Sequence, residues 1–396
     1  MSQRFWNQQL VNYIIHRIEE HGPVTFKWFM EQCLYHPEHG YYIAHSDRIG
    51  FRGDFFTNVS VGKFFGQVMA RQFDEIWKSM GKPPQFSIVE QGAHNGQFAN
   101  DVLSWIKQYS PALYEILTYW IIEELPSLRK LQQDHLAHWG SKKIEWLQQI
   151  SELDDGTLFG VLFCNELLDS FPVHMITYRL GQWEENYVDF NGKRFMLGCG
   201  EPSISDLRIF IQSLPESFYD SYTTEVNIRA LRWIEDVARI LKRGYILVCD
   251  YGYPRSQYLR PERNQGTLSC YRDHRRVNNC FEHIGNCDMT AHVEFTSLVA
   301  HALKFGLSLE GFTDQYHFMV GVGKEEFAYL QKHLKDLSPD TRHDLACFKT
   351  LMHPNLMGSD FKFLALQKEM DRFPTLAGFQ YAADPWAALD FVAPEP

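Results

Sequence analysis

A chain of 396 residues, 45% apolar and 22% charged, has the composition of a globular protein with room for one large domain or two ordinary ones. Its net charge of -11 argues against generic binding to a nucleic-acid backbone, which draws on clustered Lys and Arg. No apolar run approaches the ~18 residues that span a bilayer, so no membrane insertion is expected.

Met1 to Glu20 lacks a basic start followed by an apolar run, and eight cysteines scattered over this length do not resemble a disulfide framework. Reduced thiols and a cytoplasmic location are the expectation. Leu10, Val11, Ile14, Ile15 and Ile18 recur at helical period until Gly22-Pro23. Thr25 suits the N-cap of a second helix with Phe26, Phe29, Met30, Cys33 and Leu34 inward. Tyr41 to Thr57 reads as loop. From Val61 the pattern Phe64, Phe65, Val68, Met69, Phe73, Ile76, Trp77 predicts a third helix, leading to Pro83-Pro84. Residues 1–80 are therefore expected to form a helical N-terminal extension, and residues 81–396 the core.

Phe86-Ser-Ile-Val-Glu-Gln-Gly-Ala-His-Asn-Gly96 is the stretch on which the rest turns. An apolar strand ends in Glu90, passes through Gly92 and Gly96, and opens a helix with Phe98, Val102, Leu103 and Ile106 on one face. Glycines at such a turn let the backbone approach a nucleotide-like ligand, beside the unpaired N–H groups of the helix N-terminus. Tyr119 to Glu123 is a second acid-ended strand, followed by a helix from Pro126. Ile144 to Leu147 and Leu158 to Cys164 are further strands, the latter ending at Asn165-Glu166. This alternation predicts a mostly parallel sheet whose ligand lies beyond the carboxyl ends of its strands.

Met175 to Tyr178, Trp183 to Phe190 and Arg194 to Leu197, split by Gly181-Gln182 and Asn191-Gly192, predict an antiparallel insertion. Thr224 to Arg243 reads as a helix stopped by Gly244. Tyr245 to Asp250 is a strand ending in acid, Tyr253 to Asp288 a long, weakly patterned loop, and Thr296 to Lys304 a helix. Leu307 to Phe312 is a strand; two helices and a last strand, Phe361 to Leu366, follow. Insertions into the core thus fall at about 173–223 and about 253–290. Cys270, Cys280 and Cys287 lie among His274, His283 and His292, but no C-x-x-C spacing occurs and no metal is expected. The basic run Arg272 to Arg276 reads as solvated loop.

Two ligand classes use a glycine turn with an acid ending the next strand, namely dinucleotides and S-adenosylmethionine. The dinucleotide fingerprint wants a third glycine and an acid ~20 residues on, whereas His94 occupies the middle position and Glu123 lies 27 residues after Gly96. Glu90 before the turn also suits a cationic sulfonium better than a pyrophosphate, which favours S-adenosyl-L-methionine as cofactor.

Leu34-Tyr-His-Pro-Glu-His-Gly-Tyr-Tyr42, Gly53-Asp-Phe-Phe-Thr57, Phe65-Gly66, Asn165-Glu-Leu-Leu-Asp169 with Pro172-Val173, Asp250-Tyr-Gly252, Gly266-Thr-Leu268 with Tyr271 and His274, Asp288-Met-Thr-Ala-His-Val293, and Met357-Gly358 with Phe361 stand in this order along nearly the whole chain. Together they resemble the MidA-like family, which includes a mitochondrial arginine methyltransferase that assists respiratory complex I assembly. The resemblance implies a class I, Rossmann-like methyltransferase core, a mostly parallel seven-stranded sheet, with a helical N-terminal extension and an inserted antiparallel hairpin region. It also implies S-adenosyl-L-methionine as methyl donor and a protein arginine as acceptor.

Carried over by position, Glu90, Gly92, Ala93 and Gly96 match the glycine motif, Glu123 and Glu124 the ribose-binding acid and its neighbour, and Asn165 and Glu166 the end of the fourth strand. Asp54 and Thr57 match a loop closing over the cofactor. The sequence departs from the family at His94, usually glycine, at Thr57-Asn-Val-Ser60 and at Leu125. If Glu166 and Asp169 share a helical turn, they lie on one face and can orient a guanidinium, with His292 as a base near neutral pH. Tyr271 and His274 are candidate lid residues. Methylation of a small molecule, or a non-catalytic assembly factor that keeps the cofactor, are the alternative readings. Trp183 and Tyr187 in the inserted hairpins suggest a homodimer.

Overall fold

The strands of the central sheet carry Val, Ile, Leu and Phe at consecutive positions because helices cover both of their faces, as parallel sheets require. We describe the protein from a computed structural model over residues 6–44, 58–216, 218–272, 275–277, 279–332, 339–353, 357–370 and 375–393. Asp54, Thr57 and His274 lie outside the described residues. The chain divides into two compact units: Met1–Phe55, Leu168–Arg232 and Ser256–Val293 form one, and Phe56–Leu167, Trp233–Arg255 and Glu294–Pro396 the other.

In the larger unit we number the strands β1 (Phe86–Gln91), β2 (Leu117–Ile122), β3 (Ile144–Leu147), β4 (Leu158–Asn165), β5 (Leu241–Tyr253), β6 (Ser308–Asp314) and β7 (Phe361–Lys368). Their order is β6-β7-β5-β4-β1-β2-β3. The five from β5 to β3 run parallel, while β7 is antiparallel to both of its neighbours. This is the expected α/β fold with a mostly parallel sheet. Strand order reverses between β1 and β4, so the carboxyl ends of these two strands flank the natural ligand crevice. Helices α1 (Phe64–Ser79), α2 (Gln97–Tyr109) and α3 (Pro126–Leu136) carry apolar stripes. Phe65, Phe73, Phe98 and Phe163 pack ring on ring in the core.

The smaller unit is built on a five-stranded antiparallel sheet in which Gln182–Phe190 pairs with Val24–Thr25, His174–Arg179 and Phe195–Gly200, and Tyr222–Val226 closes the far edge. Helices Gln8–His21 and Phe26–Tyr35 bury Leu10, Ile14, Phe29 and Met30 in one cluster with Met175 and Val188. Thr25 caps the second helix as expected, its hydroxyl accepting from Trp28 N at 3.1 Å. Trp183 is buried against Tyr178 and Tyr222 inside the unit.

Several expectations are corrected. Thr224 to Arg243 is not one helix: Tyr222–Val226 is a strand, Ile228–Ile240 a helix, and β5 begins at Leu241. β-branched Thr224 and Val226 find ladder partners in Ile176 and His174, and Leu241 already pairs with Leu158. Gly244 stops nothing; it lies within β5 at φ 134, where an added Cβ would sit 1.9 Å from Gly160 O. Nor does β5 end at Asp250, since it runs on to Tyr253. The expected loop instead supplies two strands, Ser269–Arg272 and Arg275–Val277, of a three-stranded sheet completed by Asp288–Thr290, which buries Cys270 and Met289 in the small unit's core. Tyr41–Ala44 is a helical turn, not loop.

Candidate functional site

β1 delivers Glu90 and Gln91 to the crevice end of the sheet, and the chain then turns through Gly92 (φ 81), His94 (φ 50) and Gly96 (φ 81) into α2. Gly96 N donates to Ala93 O at 2.8 Å, and Asn95 Oδ1 accepts from Gln97 N at 3.0 Å, so the turn is closed from within. A Cβ on Gly96 would lie 2.9 Å from Leu136 Cδ1, and one on Gly92 would press on Leu167 at 3.3 Å. His94 occupies a left-handed conformation that costs a non-glycine residue about 1–2 kcal/mol. Burial pushes its imidazole down to about 4, so it is neutral at physiological pH, and its Nε2 has no hydrogen-bond partner.

Two buried acids flank the turn. Glu90 is 4% exposed, and Tyr119 on β2 donates its phenol O–H to Glu90 Oε2 at 2.6 Å. Burial raises the Glu90 carboxyl to about 8, against the Tyr119 hydrogen bond and with help from the charge of Glu123. Glu123 follows β2. Its Oε1 accepts from Leu125 N at 3.0 Å and its Oε2 from Gln132 Nε2 at 2.9 Å. Burial lifts it to about 7, opposed by those two hydrogen bonds. Glu124 beside it is exposed.

β4 brings Asn165 and Glu166 to the same sheet edge. Asn165 Nδ2 donates to Glu166 Oε1 at 2.9 Å, while Asn58 donates from Nδ2 to Asn165 Oδ1 at 3.0 Å and from its backbone to Glu166 Oε1 at 3.3 Å. Glu166 takes φ 53, and its N–H bonds Cys249 O on β5 at 2.9 Å. No helix follows: the chain bends at Glu166 and turns at Asp169, so the shared helical face expected for these two acids does not exist. A backbone hydrogen bond to β5 holds Glu166 in place of a first helical turn.

Asp169 and His292 belong to the smaller unit, where Ala291 N donates to Asp169 O at 2.9 Å. His292 N donates to Thr267 Oγ1 at 3.0 Å. Buried Glu225 anchors this segment: it accepts from Thr267 N, Thr267 Oγ1 and Leu268 N at 2.9–3.1 Å and from the Tyr258 phenol at 3.1 Å. Tyr271 pairs with Asp288 across the small sheet, and Tyr42 donates to Asp288 Oδ1 at 3.0 Å.

Sequence reasoning missed Asn58, Tyr119, Gln132 and Glu225. For Gln132 a signal was present: Leu128, Gln132 and Leu136 are spaced by four on the buried stripe of α3. Among the described residues no group of three or more His, Cys, Asp or Glu is arranged to hold a metal ion. Among them, too, no helix is long and apolar enough to cross a membrane.

The arrangement suits a cation carrying a vicinal diol. Glu90 and Glu123 are carboxyls whose ionised forms burial disfavours, so a positive ligand relieves both, and each Glu123 oxygen keeps acceptor capacity beyond its one fixed bond. Residues 68–313 match the family described as "Putative S-adenosyl-L-methionine-dependent methyltransferase". "Protein arginine methyltransferase NDUFAF7, mitochondrial" of Homo sapiens is 26% identical over 385 residues, covering 90% of this chain and 83% of that protein. Its Xenopus laevis counterpart is 24% identical over 408 residues, covering 93% and 88%. A crystal structure from Burkholderia thailandensis, bound to S-adenosyl-homocysteine, is 25% identical with a TM-score of 0.82, over 94% of this chain and 95% of that one. The family match takes in both the acid-ended strands and the glycine turn, and the chain belongs to this family of S-adenosyl-L-methionine-dependent methyltransferases.

Proposed function

We propose that the methyl acceptor is an arginine side chain of a protein. The names of the relatives support this, as does the supply of carboxylates, since a guanidinium pairs bidentately with such groups. Glu90, Gly92, Ala93, Gly96, Glu123, Glu124 and Asn165 are proposed to hold the cofactor, with Glu166 between cofactor and acceptor. Bound S-adenosyl-L-methionine supplies a methyl group activated on a cationic sulfur. The chain's own part is placement and charge. Gly92 and Gly96 leave the turn's backbone bare at two positions, Glu123 offers two acceptor oxygens to hydroxyls, and buried Glu90 offers a carboxyl whose ionised form a neighbouring cation favours. Proximity then does most of the catalytic work. On the acceptor side, Glu166 is assigned to orienting the guanidinium; Asp169 and His292, which belong to the smaller unit, are candidates for acceptor contact taken from the sequence alone.

The observation that carries the reading is the pair of buried acids on adjacent strands, Glu90 and Glu123, whose proton affinities burial raises. Calorimetry with S-adenosyl-homocysteine tests the cofactor site. Incubating a cell extract with the protein and isotope-labelled S-adenosyl-L-methionine and mapping the label by mass spectrometry tests the acceptor. Label on arginine is expected; label confined to metabolites supports a small-molecule methyltransferase. His94 in the place of a glycine favours a second reading, a cofactor-binding assembly factor without turnover. That reading requires Glu166→Ala to keep its cellular role.

The cysteines, which form no disulfide among the described residues, support a reducing compartment such as the cytoplasm, whereas the relatives are named mitochondrial; fractionation of tagged protein decides. Self-association through the inserted hairpins draws on the exposed Met196 and Leu197, since Trp183 is used internally, and light scattering checks it.

A further inference from the structure

Gln132 is fully buried, yet its side-chain amide is the junction of three separate elements. Its Nε2 donates to the backbone oxygen of His94 in the glycine turn and to Oε2 of Glu123 after β2, both at 2.9 Å. Its carbonyl accepts from the indole N–H of Trp146 on β3 at 3.2 Å. An amide nitrogen has two hydrogens, and both are committed. With Leu128 and Leu136 buried four residues to either side, Gln132 is the amide on an otherwise apolar stripe, a placement that costs desolvation unless such bonds are made. The two bonds from Nε2 go to the two features that the proposed cofactor site most needs fixed. One is the carbonyl of the residue that holds φ 50 without being glycine; the other is the carboxylate assigned to the ribose.

We infer that Gln132 is a positioning residue of the cofactor site, one that sets the rotamer of Glu123 and the left-handed turn at His94 with a single side chain. The inference rests on the assignment of Glu123 and the glycine turn to the cofactor. As a pure donor at Nε2, Gln132 leaves one face of Glu123 Oε2 for a ligand hydroxyl and favours the ionised carboxylate that such a hydroxyl requires. Replacing the amide therefore misorients the acceptor and raises its proton affinity together. A merely structural residue would not do both.

The test is calorimetry of S-adenosyl-homocysteine and of adenosine, across pH, with Gln132→Met, which keeps length without donors, and with Gln132→Glu. For folded Gln132→Met, affinity for both ligands should fall roughly 10-fold or more, the span of one hydrogen bond to a charged group. Its affinity-versus-pH curve should also move to higher pH than the wild-type curve, and Gln132→Glu should move it further by like-charge repulsion. In a Glu123→Ala background, Gln132→Met should add little, because its main client is gone. A folded Gln132→Met that binds within about twofold of wild type, or one that loses affinity equally at every pH and additively with Glu123→Ala, overturns the inference. If Gln132→Met does not fold, the curve of the isosteric Gln132→Glu decides alone. Wild-type protein that fails to bind either ligand refutes the cofactor-site assignment, a different result from a wild type that binds and a Gln132 variant that binds equally well.

Discussion

Glu90 and Glu123 hold protons that exposed glutamates would have lost near neutral pH, with the sign of the effect fixed by burial. Both carboxyls stand above the ordinary 4.5, so the folded state binds these protons more tightly than the unfolded chain. That stabilising contribution is complete below 4.5 and is lost as pH rises through about 7 for Glu123 and about 8 for Glu90. The Tm of ligand-free protein should therefore fall over this window, and Glu90→Gln should flatten the upper part of the fall. Affinity for S-adenosyl-homocysteine should run the other way, tightening as Glu123 ionises. Glu123→Ala should weaken that affinity by roughly 10- to 100-fold, as judged by calorimetry. Both acids were legible in the sequence because each closes an apolar run. Asn58 was not, since a polar residue in a loop reads as solvated unless its partners are known, and Gln132 showed only as a polar residue at an apolar-stripe position, with nothing to name its partners.

Among the elements, the alternation of strands and helices from Phe86 to Asn165 was readable because each piece is bounded by glycine, proline or an acid. The failure between Thr224 and Gly244 has a physical cause. Helix Ile228–Ile240 passes into β5 without an intervening turn residue, so one apolar run serves both periodicities. Gly244 then looks like a helix stop, although its lack of a side chain serves the close approach of β5 to β4. Gly244→Ala would drive a Cβ into Gly160 O, and we expect a loss on the order of 3 kcal/mol, or insoluble protein, measured by urea denaturation. Thr25→Ala, which removes the cap from Trp28 N, should cost about 1 kcal/mol in the same measurement. The small sheet within Tyr253 to Asp288 was illegible for another reason: strands such as Arg275–Val277 are three residues long, too short for alternation to register.

At the scale of the whole molecule, the ordered motifs from Leu34 to Leu366 carried the family and the cofactor, because they recur in order along nearly the whole chain. Periodicity alone does not say which distant segments join one compact unit. The net charge of -11 gives a prediction of its own. A basic peptide acceptor is drawn to such a surface over roughly a Debye length of about 10 Å at moderate salt. Initial rates on it should drop as salt is raised from about 50 mM to about 300 mM, while a neutral acceptor should show little change. Equal salt sensitivity for both would remove long-range attraction from the account.

The contact between the Tyr119 phenol and Glu90 has a practical outcome. A short O–H···O bond sealed away from solvent gives a far-downfield proton resonance and a displaced ring vibration, both native to the chain. Once Glu90 is ionised, above about pH 8 in the ligand-free protein, a sulfonium that draws on the carboxylate's charge should loosen this bond and move both signals. Tyr119 would then serve as a built-in gauge of occupancy, readable without an acceptor, an isotope or turnover.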